Sequence, residues 1–489
     1  MKLLTSFGII FALICSAQTA TAGKTVDPET PLLESSVPFT PEDLYDIALR
    51  YNPDHQKNVQ NATLSGIGQR SARGTLMPVV DVGYQIAQSN YYQPTYVNPD
   101  GSVSTFPTVQ ETYAAVFDTI NGNVFPGWNP DSVTTVYYPV PEGKSRTSVG
   151  WVTVRETLQL GGQQLFGILN AKIQRHINDL QISTSENELQ YSIRQNYYNV
   201  LAQKRLLDLA LQLLEQRREQ YRLAQARFEV GSVTELDVLQ AEIDVGNQEN
   251  AVIESENALK LAREGLNAIL GVDLDSKYDL VDDLDIFEPE FSLENLSREA
   301  ILSRPDYRSY QEQERYRLNQ VRSRRGEFLP DLSAAITHSR SENSGASVPF
   351  TLTPRNRNTS MSLTLSWNLF SGFSDQAQYE ESRVSLYNAR HDRKKQEQAV
   401  EQEVRQAYYT LIQTYEQSRV AEKNRELASR QLELEQERYR LGATSQLNLR
   451  AAQVTYEQAE TDHIANIFNF WINLAALERA VGRNLRNAG

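Results

Sequence analysis

The sequence predicts a mainly α-helical chain that also supplies four strands to a membrane β-barrel, built as an internal tandem duplication. Three observations predict it. First, "RQNYYNVL" begins at Arg194 and "RQAYYTLI" at Arg405, 211 positions later, and the same offset pairs "RFEVGSVTEL" from Arg227 with "RYRLGATSQL" from Arg438. Upstream the offset is 252, aligning "FTPEDLYDIALRYNPD" from Phe39 with "FSLENLSREAILSRPD" from Phe291, and Pro78 with Pro330. Self-similarity on this scale organises a whole fold rather than one motif. Second, no proline falls in 162–229 and neither proline nor glycine in 373–440, so each copy holds one helix of about 68 residues, ~100 Å long. Third, Met361, Leu363, Leu365, Trp367 and Leu369 alternate with Ser362, Thr364, Ser366 and Asn368. A period of two with one apolar and one small polar face suits a strand between lipid and water.

The elements follow in chain order. Residues 1–22 read as a signal peptide: Lys2, an apolar run to Ile14, then Ala20 and Ala22 in the A-x-A arrangement, with cleavage expected before Gly23. The only cysteine, Cys15, lies in that run, and Ile14 before it is not the small residue that lipid attachment needs, so the mature chain holds no thiol. Residues 23–38, with Pro28, Pro31 and Pro38, read as a flexible leader. The first copy spans 39–271, with strands at about 78–90 and 147–157, the long helix at about 162–229 and a second helix at about 233–270. An acidic linker, 272–290, follows. The second copy spans 291–482, with strands at about 330–340 and 360–370, the long helix at about 373–440 and its successor at about 444–481; 483–489 is a tail. Pro78 and Pro330 are expected to end the preceding helices, and Gly161, Gly162 and Gly372 to allow the reversal from strand to helix. The offsets differ by 41, which places 41 extra residues in the first copy between Pro78 and Ser148, enlarging the loop between its strands.

Heptad-like spacing on the long helices runs through Leu189, Ile193, Val200, Leu207, Ala210 and Leu214, matched by Val400, Val404, Leu411, Ser418, Ala421 and Arg425. Four strands cannot close a barrel, so the chain must oligomerise; three copies give twelve strands around one axis. The repeated tyrosines read as packing positions on equivalent turns.

Composition narrows the chemistry. A formal charge of -14 in 489 residues argues against nucleic acid as a partner. No helix-length apolar run of about 20 residues follows the signal, so a membrane role must rest on strands. The five histidines are scattered; Glu460 and His463 form a lone E-x-x-H, where a carboxylate-bridged di-metal site needs two. No P-loop, G-x-S-x-G or cysteine nucleophile is present. The sequence therefore predicts no enzyme and no cofactor. A structural or adhesive periplasmic coiled coil without a pore is the alternative, and the apolar face of 361–369 counts against it.

The element order, the duplication, "TLMP" and "EFLP" before the strands, and the helix-turn-helix tips "RFEVGSVTELDVLQAE" and "RYRLGATSQLNLRAAQ" resemble the outer membrane factor family typified by TolC, over 39–482. The resemblance implies a homotrimeric channel-tunnel: a 12-stranded barrel among outer-membrane lipids, continued by an α-helical barrel across the periplasm. It also implies docking on a periplasmic adaptor (membrane fusion) protein and an inner-membrane RND or ABC pump, for export of small molecules or type I secreted polypeptides. The linker falls in the equatorial belt, and the enlarged loop faces outside the cell.

At the tips, Gly231 and Gly442 are expected to end the long helices, and Ser232 and Glu235 have capping-box spacing. By resemblance, Arg227, Gly231, Ser232, Leu236, Arg438, Gly442 and Leu447 form the tip turns and the adaptor-docking grooves. The resemblance also places the periplasmic gate at Asp237, Tyr439, Thr444 and Asn448. Thr444 stands where the family carries an arginine, and Asn448 and Ala451 where its best-studied members carry acidic rings, leaving Asp237 as the candidate acidic ring.

Overall fold

The computed structural model describes residues 31–33, 37–91, 95–97, 103–105, 108–110, 136–138, 143–282, 284–344 and 357–485. Cys15 and the signal-cleavage residues Ala20, Ala22 and Gly23 lie outside them. In chain order the helices are α1 (Pro41–Tyr51), α2 (Pro53–Gly74), α3 (Gln163–Glu229), α4 (Glu235–Leu270), α5 (Leu293–Ser303), α6 (Pro305–Gly326), α7 (Ser374–Arg440) and α8 (Gln446–Val481). The strands are β1 (Val79–Tyr91), β2 (Thr95–Val97), β3 (Val103–Thr105), β4 (Thr108–Gln110), β5 (Val136–Tyr138), β6 (Gly143–Gln159), β7 (Asp331–Ser344) and β8 (Arg357–Ser366). The chain divides into a helical unit (described residues to Arg70, Leu169–Val321 and from Glu380) and a sheet unit (Ser71–Ile168 and Arg322–Tyr379).

In the sheet unit, β1, β6, β7 and β8 form one antiparallel sheet in that order. β1 pairs directly with β6, so the extra residues do fall in the connection between them, where β2 pairs with β3 and β4 with β5. Directly opposed residues share a face, and Val80, Val154, Ile336 and Met361 form one apolar row across all four strands. The other face carries Asp81, Thr153, Thr337 and Ser360 in one row. There Thr153 and Thr337 share a hydrogen bond of 3.1 Å, and Arg155 pairs with Asp81 at 3.3 Å. The apolar side chains Val80, Val82, Ile86, Ile336, Met361, Leu363 and Leu365 are all exposed. A face of that composition is one that lipid, not water, would cover.

Two local expectations are corrected. β8 ends at Ser366, so Trp367 and Leu369 lie beyond it. The helices stop at Gly74 and Gly326, four residues before the prolines, and Pro78 and Pro330 instead open β1 and β7. A proline's missing N–H costs nothing at the first residue before a strand. Gly326 does more than stop a helix. A Cβ on it would fall 2.3 Å from the Gly161 carbonyl oxygen, and one on Gly161 would fall 2.1 Å from the Gly326 carbonyl oxygen. The end of β6 and the end of α6 thus cross backbone to backbone, which only glycine permits.

In the helical unit the core gathers Ile193, Tyr197, Tyr198 and Leu201 of α3, Leu266 and Leu270 of α4, Val400, Val404 and Leu411 of α7, and Phe470, Leu474 and Leu477 of α8. Short amphipathic helices close it: Leu44 and Ala48 of α1, Leu296 and Ala300 of α5. α1 begins with a capping box, in which Thr40 and Asp43 exchange bonds. Hydrogen bonds from Thr40 hold the Asp43 carboxyl below the usual carboxylate range. The duplication repeats a tertiary contact: the Asn52 side chain donates to the Ile269 carbonyl at 2.7 Å, and Arg304, 252 positions after Asn52, donates at 2.9 Å to the Ala480 carbonyl, 211 positions after Ile269.

The leader and the linker meet. Asp273 and Lys277 donate to the carbonyls of Pro31 and Leu33, so that part of the expected flexible leader is fixed. Phe39 and Leu280 form a parallel bridge. The Tyr197 hydroxyl donates to the Val281 carbonyl at 2.5 Å, and the Phe39 carbonyl lies 3.2 Å from the same oxygen. Tyr197 is therefore a hydrogen-bonding anchor of the linker as well as a packing residue. Burial pushes the Tyr278 phenol up; its hydroxyl donates to Asn267 at 2.7 Å.

Candidate functional site: the helical tips

The tips are built by the same device twice. The Gly231 N–H bonds the Phe228 carbonyl and the Ser232 N–H the Arg227 carbonyl, while Gly442 and Ala443 bond Tyr439 and Arg438 in the same way. Both glycines have positive φ, 73° and 71°. This is the Schellman arrangement, closing α3 and α7 with a left-handed residue.

The return helices start later than expected. The capping box of α4 joins Thr234 and Asp237, not Ser232 and Glu235, because Ser232 is spent on completing the Schellman turn. The Asp237 Oδ2 accepts from the Thr234 N–H at 2.9 Å and from its hydroxyl at 2.8 Å. In the second copy Ser445 caps α8 and accepts from the Asn448 N–H, while the Asn448 side chain donates to the Thr444 hydroxyl at 3.1 Å. Asp237 and Asn448 thus hold equivalent cap positions, one charged and one neutral.

Tyr439 meets Arg227, a pairing the sequence did not single out. The guanidinium sits 4.8 Å from the ring centroid and donates to the Tyr439 and Arg440 carbonyls at 3.4 and 3.2 Å. Two further links join the two hairpins: Arg450 pairs with Asp244 at 2.9 Å, and buried Arg217 bonds Gln453 and pairs with Glu457 at 3.6 Å. A groove of about 270 Å³ between the hairpins is lined by Leu223, Ala224, Tyr439, Leu449 and Gln453.

Leu236 and Leu447 are exposed, as are Val230 and Leu441, which the sequence reading missed. Their signal was available: each precedes a tip glycine at equivalent places in the two copies. The E-x-x-H pair lies on α8, where burial and then Arg425 lower the His463 pKa. No helix among the described residues is long and apolar enough to cross a membrane.

Comparison with known proteins agrees with this architecture. The structure is similar to the Campylobacter jejuni CmeC outer membrane channel, with TM-score 0.72 and 14% identity over 90% of this chain and 85% of that one. It is also similar to the outer membrane protein VceC of Vibrio cholerae, with TM-score 0.69 and 14% identity over 91% and 97%. Among curated sequences, the fusaric acid resistance protein FusA of Burkholderia cepacia is 30% identical over 157 residues, 31% of this chain and 29% of that protein. The chain therefore spans less than a third of that relative's length. The family model for outer membrane efflux proteins matches residues 137–272 and 296–483, well over half of the chain. Fold and family are those of channel proteins rather than enzymes. The chain is thus a member of the outer membrane efflux protein family, the TolC-like channels, and a protein of the outer membrane.

Proposed function

We propose that the protein is the passive exit duct of a tripartite export system. Three copies close a 12-stranded barrel, and their helices continue it as a tunnel across the periplasm. The observation that carries this reading is the sheet with one exposed apolar face and, among the described residues, two unpaired edges, β1 and β8. Exposed edges invite pairing, and ring closure is what removes them. The exposed leucines and Val230 at the tips fit docking of a periplasmic adaptor's apolar helices, with an inner-membrane RND or ABC pump supplying the energy. Similarity to a fusaric acid resistance protein favours small toxic molecules as cargo.

Purified protein in detergent is expected to scatter light as a trimer and to form conducting pores in planar bilayers. A monodisperse monomer, or a trimer without conductance, would overturn the reading. Deleting residues between Tyr91 and Pro139 should leave trimers and export intact. β1 and β6 already pair without them, and long surface loops are tolerated. Trimers lost on that deletion would give the loop a structural role instead.

A further inference from the structure

We propose that the surface receiving the next copy of this chain is fixed, residue by residue, by the internal repeat, and that its docking extends β8 from Ser366 to Phe370. The inference rests on the ring-closure reading above and specifies its seam.

The hairpin registers carry the argument. β1 pairs with β6 as Val79 with Arg155, and β7 with β8 as Asp331 with Ser366. Asp331 is Val79 moved by 252, and Ser366 is Arg155 moved by 211, the offsets already present in the sequence. The two hairpins are therefore structural copies. Inside the chain, copy one meets copy two through β6 and β7, as Val154 with Ile336 and Gln159 with Asp331. In a closed ring, copy two meets copy one of the next chain, so the same offsets give the intermolecular register. Leu365 lies opposite Tyr84 of the next copy, Leu363 opposite Ile86, Trp367 opposite Val82 and Leu369 opposite Val80. All eight fall on the apolar face, and Asn368 falls opposite Asp81 on the polar face. A slip of one residue would set these apolar side chains against Asp81, Gly83 and Gln85.

This register accounts for the early end of β8. Glu156 to Gln159 are strand because β7 pairs with them, and their counterparts Trp367 to Phe370 lie beyond β8. Their alternating sequence suits the missing partner, Val79 to Val82 of the next copy. The glycine crossing points the same way. Gly161 and Gly326 touch inside the chain, while a methyl group on either counterpart, Gly372 or Gly74, would meet nothing within 4 Å. These two are expected to cross each other between copies. The helical unit, taken alone, has the same asymmetry: Tyr198 is 1% exposed and Tyr409 58%, Leu209 7% and Val420 59%.

The test is cysteine cross-linking in outer membranes, with Cys15 the only native cysteine. Thr364→Cys with Gln85→Cys, and Leu363→Cys with Ile86→Cys, sample adjacent rungs, one of which is the closely spaced kind. Oxidation is expected to link chains through at least one of these pairs. Thr364→Cys with Ala87→Cys, or Ser362→Cys with Gln85→Cys, would link only if the register were slipped by two, which would overturn the proposal while leaving the trimer standing. An unsubstituted protein that is no oligomer would instead remove the ring-closure reading. Gly74→Ala, harmless within one chain, should abolish the trimer while the chain keeps its helical circular dichroism; an intact trimer in that variant would refute the glycine crossing.

Discussion

Arg194→Met is expected to destabilise the protein by about 3–5 kcal/mol, the cost of stranding a buried charge. Arg194 is almost wholly buried on α3, where it bonds the equally buried Glu478 of α8 and reaches Glu42 of α1 at 3.0 Å. Glu478 also accepts from the Leu485 N–H at 2.9 Å, so removing its cation leaves a carboxylate with one neutral donor in an apolar setting. Glu478→Met should cost a similar amount. The double variant should cost less than the sum of the two, because no charge is then left unpaired. Glu42→Ala, by contrast, should cost at most ~1 kcal/mol, since that carboxylate is half exposed and screened. Denaturant midpoints for the four variants in detergent check the set. Equal, additive losses for both single variants would mean that the pair is not coupled.

Arg194 also marks the limit of what the sequence could tell. "RQNYYNVL" and "RQAYYTLI" predict equivalent turns of two long helices, and the helices are there. Yet Arg194 is buried against Glu478, while Arg405 is exposed and bonds Glu401 one turn away on its own helix. The shared R-Q-x-Y-Y pattern cannot encode which copy meets α8, because that depends on packing between distant segments. The cap moved by two residues for a related reason: Ser232 and Thr234 are both good caps, and the Schellman turn after Gly231 decides between them. The extents of the two long helices were legible because no proline interrupts them and a glycine follows the end of each. The end of β8 was not, because alternation is written for a partner that one chain does not contain. At the tips the glycines were legible by spacing, whereas the capping spacing pointed to Ser232 and Glu235, and Asp237 entered only through the family resemblance. Arg227 over Tyr439 was not, since it joins residues 212 apart with no shared pattern.

At the tips, the largest functional effect is expected from Asp237 and Tyr439. The cap bonds of Asp237 both fall on Oδ2, which leaves Oδ1 able to accept from a donor on a neighbouring hairpin. Tyr439 is held in place from below by Arg227, with the guanidinium against its ring and bonded to its carbonyl. We propose that the phenol of one chain donates to Asp237 of the next, and that three such links keep the periplasmic end shut. A charge-assisted bond of this kind is worth about 1.5 to 3 kcal/mol when shielded, less at a wet tip. Each ~1.4 kcal/mol shifts the ratio of open to closed tips about tenfold. Asp237→Ala and Tyr439→Phe should therefore both raise single-channel conductance, and the double variant should add little to the stronger single one. Arg227→Ala should act in the same direction by freeing the Tyr439 ring. Thr234→Ala supplies the discriminating control, because it removes the cap, about 1 kcal/mol, and keeps the carboxylate. If Asp237 works across the chain boundary, Thr234→Ala leaves conductance near that of the unsubstituted channel while Asp237→Ala opens it. If Thr234→Ala opens the channel as far as Asp237→Ala and Tyr439→Phe leaves it closed, Asp237 acts only by starting α4, and the link to Tyr439 does not exist.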